Sequence, residues 1–144
     1  MVRIDLVTAK LSELGARTAR VRKHAPATAT ALRDDQDALD LVSFNLMLCV
    51  QSAADIASHI VADEGWRPAR TLGEAFERLG EHGVLGKPTA EAMARAAGLR
   101  NVVAHGYAGV DVTLIFAAAS RGVADLEAFA SEVAAWLQLR TAPV

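Results

Sequence analysis

The chain has 144 residues, 52% of them apolar but only 5% aromatic, with 15 Lys and Arg against 17 Asp and Glu. That length allows a single domain, residues 1–144, whose core needs no disulfide or metal, and an Ala-, Leu- and Val-rich interior favours close-packed helices over a sandwich or barrel. A net charge of −2 provides no global field to draw in nucleic acid, so such a partner has to be met by a local patch.

The opening "MVRIDLVTAK" carries charges where a secretion signal needs an apolar stretch. Ile4, Val7, Leu11, Leu14, Thr18 and Val21 then recur three or four apart, which predicts an amphipathic helix over roughly 3–23. Charge is unevenly spread: residues 1–33 hold seven Lys/Arg against two acids, and 34–64 hold seven acids and no Lys/Arg. The basic cluster "RTARVRKH" (17–24) is either a solvated face complementing the helix C-terminus or a contact for phosphates. "APATAT" interrupts the helix, because Pro26 cannot continue it.

A long helix is expected from about 36 to 63. Acids crowd its first turns, where the helix dipole favours them, and Gly65 stops it. Its centre is apolar nearly all round, so it is the expected buried spine. Cys49 lies inside the apolar run "LMLCV"; as the lone cysteine it cannot pair internally, and a reduced, cytoplasmic setting is expected. No apolar run approaches the ~18–20 residues of a bilayer span, so a soluble protein with no membrane partner is expected. Asn45, Ser52, Asp55 and His59 form a polar row on this helix. Such a row is either hydrogen-bonded or solvent-facing, or else it is a wall turned to a site or a partner subunit.

A short helix is expected over about 71–81 with Thr71 as cap, followed by a turn marked by Gly83 and Gly86. Another is expected over about 89–105 with Thr89 as a candidate cap after Pro88. Asp111 can cap the short helix "VTLIFAAA". After "SRG" a last amphipathic helix follows Val123, Leu126, Ala130, Val133 and Leu137 to about 139. The sum is an all-α bundle of four main helices with one or two short extras.

The stretch "GLRNVVAHGY" (98–107) gathers more hydrogen-bonding and titratable side chains than a helix end needs. Gly106 is suited to closing a helix, which puts His105 in the last turn. Carbonyls there favour the imidazolium, while nearby Arg100 opposes it, so a group starting near ~6.5 is poised to exchange protons. Asn101, one turn earlier, can orient that ring or bind substrate. Arg100 supplies a permanently charged planar fork suited to phosphate oxygens. A proton exchanger with a phosphate clamp is the minimum for cutting a phosphodiester without metal.

"RNVVAHGY" resembles the Arg-x4-His-x-Tyr signature of the HepT-like branch of the HEPN superfamily, and the likeness extends over roughly residues 34–135. It includes "SAADIASHIVADEG", "RTLGEAFERLGEHGVL" and "GVDVTLIFAAASRGVADLEAF". There are two departures: glycine precedes the tyrosine where many members have a charged residue, and Ser52 stands where an acid is common. Asp55 is then the candidate for the acid's orienting role. The resemblance implies a HEPN-like bundle and a metal-independent endoribonuclease toxin of a bacterial toxin–antitoxin pair. It also implies a small nucleotidyltransferase-fold antitoxin as partner. In that frame Arg100 and His105 are the catalytic pair acting on RNA, and Tyr107 is the hydroxyl that the antitoxin adenylylates.

In-line attack benefits from both an acid and a base, yet each chain has one motif histidine; a two-fold homodimer would supply two around one cleft. No cofactor or metal is expected. A bundle metal site wants Glu-x-x-His, and no histidine here has an acid three residues before it. His59 is expected to make an orienting contact with Asp55, His24 and His82 to serve at the surface, and Cys49 to be inert. The alternative to the nuclease is a non-catalytic helical subunit that binds a nucleotide or scaffolds a nucleotidyltransferase, with Arg100 and His105 as ligands only.

Overall fold

A computed structural model of the chain describes residues 2–99 and 111–141, and all regular structure among them is helical. Helix α1 (Ile4–His24) lies against α3 (Gln36–Asp63) more extensively than any other pair of elements. The two run antiparallel, as the polar contacts Arg3–Asp63, Lys10–Asp55 and Arg17–Asn45 show. Val7, Leu14, Thr18 and Val21 are the buried stripe of α1, with Ile4 and Leu11 packed at its edge. Thr18 remains satisfied because its hydroxyl donates to the Gly15 carbonyl at 2.9 Å.

Pro26 ends α1 as expected: Ala25 before it is extended, at φ −71° and ψ 122°. The interruption nevertheless contains a helix of its own, α2 (Ala29–Asp34). Thr28 starts it by accepting from the Ala31 N–H at 3.1 Å, and Leu32 anchors it in the interior. Six residues are too few to show a period, which is why the pattern of apolar positions does not reveal it.

Asp35 caps α3 through the Ala38 N–H at 3.1 Å. Gly65, at φ +73°, closes it in a Schellman motif, with Trp66 N–H to Val61 O at 3.0 Å and Gly65 N–H to Ala62 O at 3.2 Å. By length and composition α3 could cross a membrane, but most of it is buried against the other helices. It is the spine of the bundle.

Helix α4 (Leu72–Glu81) starts on Thr71, whose Oγ1 accepts from Glu74 N–H at 3.1 Å, and it ends on Gly83 at φ +78°. Helix α5 (Lys87–Ala96), with Gly86 at its N-cap, begins three residues earlier than the Thr89 cap implies. Thr89 instead donates its hydroxyl to Glu132, which also accepts the Gly86 N–H at 2.6 Å. The expected helix to 105 is broken by a turn at 97–98. Gly98 N–H reaches Arg95 O, three residues back, and Leu99 then packs on the second apolar cluster.

Asp111 caps α6 (Val112–Ala117) by accepting from Thr113 N–H at 2.9 Å. The expected break at "SRG" is instead a π-helical segment, Ala118–Gly122, that leads without interruption into α7 (Val123–Thr141). Ile115, Ala119 and Val123, four apart each time, are all buried. On an α-helix that spacing drifts by about 80°, and the wider π turn takes up the drift.

The core has two parts. The larger runs from Val7 and Leu14 through Ile56, Ile60, Phe76, Met93 and Phe129 to Val133, with Phe76 and Phe129 edge to face at 5.7 Å. The smaller joins Val21, Leu32, Val42, Leu46, Ile115, Ala119 and Val123. It lies where α1 ends and α3 begins.

Candidate functional site

Arg100, Asn101, His105 and Tyr107 lie outside the described residues. Their flanks do not. Leu99 on one side and Val112 on the other both pack against the smaller cluster, beside Val21, Val42 and Leu46. The two ends of the motif stretch therefore meet the bundle at the same end, where the basic half of α1 adjoins the acidic start of α3. The same end exposes two large apolar side chains, Phe44 at 53% and Leu114 at 49%.

The basic cluster of α1 divides there. Arg17 Nη1 donates to Asn45 Oδ1 at 3.2 Å, while Arg22 grips Glu127 of α7 through both carboxylate oxygens, Nε to Oε2 at 3.1 Å. That bidentate hydrogen bond, and then the guanidinium's charge, holds the Glu127 carboxyl below its ordinary range. Arg20 and Lys23 point to solvent. Half of the cluster therefore ties helices together, and half remains a solvated cationic face.

The polar row of α3 also splits. Asn45 is buried and satisfied: its Nδ2 donates to Leu41 O at 2.8 Å and its Oδ1 accepts from Arg17. Ser52 is buried as well. Asp55 is half-exposed, accepts from Gln51 Nε2 at 3.0 Å and lies 3.8 Å from Lys10 Nζ. It does not engage His59 among the described residues, and it stands about 14 Å along the helix axis from Leu46. His59 is half-buried.

His82 is exposed as expected but not idle: its ring stacks on Trp66 at 3.9 Å and an interplanar angle of 3°. Trp66 meets Trp136 edge on, and Arg140 lies 4.4 Å over the Trp136 ring while bonding Glu64 at 2.6 Å. This aromatic seam clamps the C-terminal ends of α3, α4 and α7, the far end of the bundle from Leu99. Cys49 is fully buried. Burial, only weakly opposed by the charge of Arg17, pushes its thiol up to about 12.

A feature that no sequence pattern announces is a cavity between residues 67–70 and α4, lined by three arginines. The letters "RPAR" and the later Arg78 stand in the sequence, but nothing local says that an extended segment folds back along the helix to meet Arg78.

The sequence model of the family described as Ribonuclease HepT-like matches residues 14–133. The chain belongs to that family. Within it, the chain is 24% identical over 90 residues to the mRNA nuclease HepT of Shewanella oneidensis, covering 62% of this chain and 68% of that protein. It is 30% identical over 92 residues to the tRNA nuclease HepT of Aphanizomenon flos-aquae, covering 64% and 63%. The fold is that of HEPN helical toxins. The tri-AMPylated HEPN toxin of Shewanella oneidensis, solved in complex with its MNT antitoxin, superposes at a TM-score of 0.82 with 21% identity, covering 91% of this chain and 98% of that one. YutE of Bacillus subtilis, a cytosolic protein of unknown function, superposes at 0.85 with 11% identity, covering 99% and 96%. The HepT-like family and the HEPN bundle expected from "RNVVAHGY" and its surroundings are thus both found.

Proposed function

We propose that this chain is the metal-independent endoribonuclease toxin of a cytoplasmic toxin–antitoxin pair, silenced by a nucleotidyltransferase-fold antitoxin that adenylylates Tyr107. The observation that carries this reading is an intact Arg100-x4-His105-x-Tyr107 inside a family match spanning residues 14–133. Two relatives in that family are named nucleases, one of mRNA and one of tRNA.

In this mechanism the RNA 2′-oxygen attacks the adjacent phosphorus. His105 of one protomer accepts the 2′-hydroxyl proton, and the phosphorane's negative charge is stabilised by Arg100. His105 of a second protomer protonates the departing 5′-oxygen, leaving a 2′,3′-cyclic phosphate and a 5′-hydroxyl. The homodimer supplies the acid and the base together. Asn101 orients the imidazole or the substrate, and Asp55, engaged by Lys10 and Gln51 about 14 Å along α3 from Leu46, takes no part in the step. A nucleotide on Tyr107, two residues from His105, blocks the cleft and repels incoming RNA.

The test is RNA cleavage in EDTA by the parent chain beside His105→Ala. Cleavage by the parent and its loss of at least roughly 100-fold in the variant is expected, the size typical of removing a general acid–base. Intact RNA in both, with nucleotide still bound, would replace the nuclease by the non-catalytic subunit. Co-expression with the antitoxin should add AMP increments in a mass spectrum, and these should vanish in Tyr107→Phe.

A further inference from the structure

The segment between α3 and α4 and one face of α4 enclose a cavity of about 490 Å³ lined by Arg67, Pro68, Ala69, Arg70, Glu74 and Arg78. Arg78 is 6% exposed, an uncommon burial for a permanent charge. Its Nε donates to the Arg67 carbonyl at 3.1 Å, and Nη1 reaches Glu81 Oε1 at 3.3 Å, a carboxylate whose side chain is itself 55% exposed. No hydrogen bond among the described residues takes up Nη2. Nη2 keeps some contact with solvent, since Ser43 Oγ is the buried side-chain polar atom left without a partner among the described residues.

Arg67 and Arg70 are exposed, and among the described residues their guanidiniums make neither an ion pair nor a hydrogen bond. Glu74 pairs directly with neither of them. Its Oε2 accepts the Arg70 backbone N–H at 2.6 Å, which orients it, and no guanidinium comes within ion-pair distance. That backbone bond lowers the Glu74 pKa first, and the fields of Arg78, Arg70 and Arg67 lower it further. Three cations therefore converge on one space against two carboxylates, Glu74 and Glu81. One positive charge is left over, the complement of a phosphodiester.

We propose that this cavity binds a phosphate group, held by Arg67, Arg70 and Arg78 and belonging either to an RNA strand or to a nucleotide. A single guanidinium fork satisfies the two oxygens of a carboxylate, whereas the two free forks of Arg67 and Arg70 together with Arg78 Nη2 match an anion with oxygens on several sides. Pro68 fixes the backbone between the two exposed arginines, so their approach is pre-set. The site requires no catalysis; only RNA as the source of the phosphate rests on the nuclease reading.

The experiment uses the full chain carrying His105→Ala, so that RNA stays intact during titration. A short fluorescent RNA oligonucleotide and AMP are each titrated against this protein and against its Arg67→Gln/Arg70→Gln form. A second form, Lys87→Gln/Arg95→Gln, removes the same charge from other exposed positions. Circular dichroism confirms folding, which these exposed substitutions should leave unchanged. RNA affinity is expected to fall roughly tenfold in Arg67→Gln/Arg70→Gln, and the slope of log affinity against log salt by about 0.7, the change for one single-strand phosphate no longer neutralised. Loss of AMP affinity alone assigns the site to a nucleotide. Unchanged binding of both ligands, or an equal weakening in Lys87→Gln/Arg95→Gln, overturns the proposal. Failure of the parent to cleave RNA sinks the nuclease reading and leaves these binding results standing.

Discussion

Replacing Gly80 by alanine should destabilise the protein, against what helix propensity alone demands. Gly80 is the penultimate residue of α4, and a Cβ built on it falls 2.8 Å from the Cβ of Ala90 on α5. Carbon atoms pack at about 3.5–4.0 Å, so the two helices would have to separate by roughly 0.7–1.2 Å. Neither partner can yield, since both are first side-chain atoms on helical backbone. Alanine over glycine brings up to about 1 kcal/mol in a helix interior and less near a terminus, whereas overpacking costs about 1–3 kcal/mol. The expected net is a loss of about 1–2 kcal/mol, or roughly 3–6 °C in Tm. Gly15 is the control: it is exposed in the middle of α1 with nothing within 4 Å of the added Cβ. Gly15→Ala should therefore stabilise by about 0.5–1 kcal/mol. Urea unfolding followed by circular dichroism measures both, and adding Ala90→Gly to Gly80→Ala should recover part of the loss as a coupling energy. A Gly80→Ala protein as stable as the parent, or strict additivity with Ala90→Gly, would refute close helix contact as the cause.

The Cys49 thiol, raised to about 12 chiefly by burial, should resist an aromatic disulfide reagent in the native protein at mildly alkaline pH and react once urea unfolds it; rapid native reaction would show that α3 is not the buried spine. Glu127, held below its ordinary value of 4.5 by the hydrogen bond from Arg22, should titrate back toward that value by NMR in Arg22→Gln. Because the folded pKa is the lower one, the stability that the pair contributes is present above about pH 4.5 and is lost as pH falls through the lowered value. An unmoved Glu127 titration would remove Arg22 as the cause.

Much of the fold was legible in local chemistry. Val7, Leu14 and Val21 at helical spacing are buried; Thr71 and Asp111 cap where a short acceptor precedes an apolar run; Gly65 and Gly83 adopt positive φ at helix ends. The candidate site was legible as a motif, because Arg-x4-His-x-Tyr is a pattern of identities. Its flanks gain a position only from packing, when Leu99 and Val112 both settle on the cluster around Val42 and Leu46.

What the sequence determined by itself were the properties that depend on neighbours a few residues apart: the caps at Thr71 and Asp111, the stops at Pro26, Gly65 and Gly83, the buried stripes, and the family signature around His105. Tertiary structure alone decided which polar groups of α3 are partnered, with Asn45 drawn to Arg17 and Asp55 to Lys10 and Gln51 rather than to His59. It also decided that "SRG" continues as a π segment instead of breaking, that Gly80 meets Ala90, and that Arg67 and Arg70 share a cavity with Arg78. The physical reason is common to all of these. A helix sets the angle of each side chain about its own axis, but the partner that satisfies, crowds or charges that side chain arrives from another element, whose distance and rotation are chosen by the packing of the whole core.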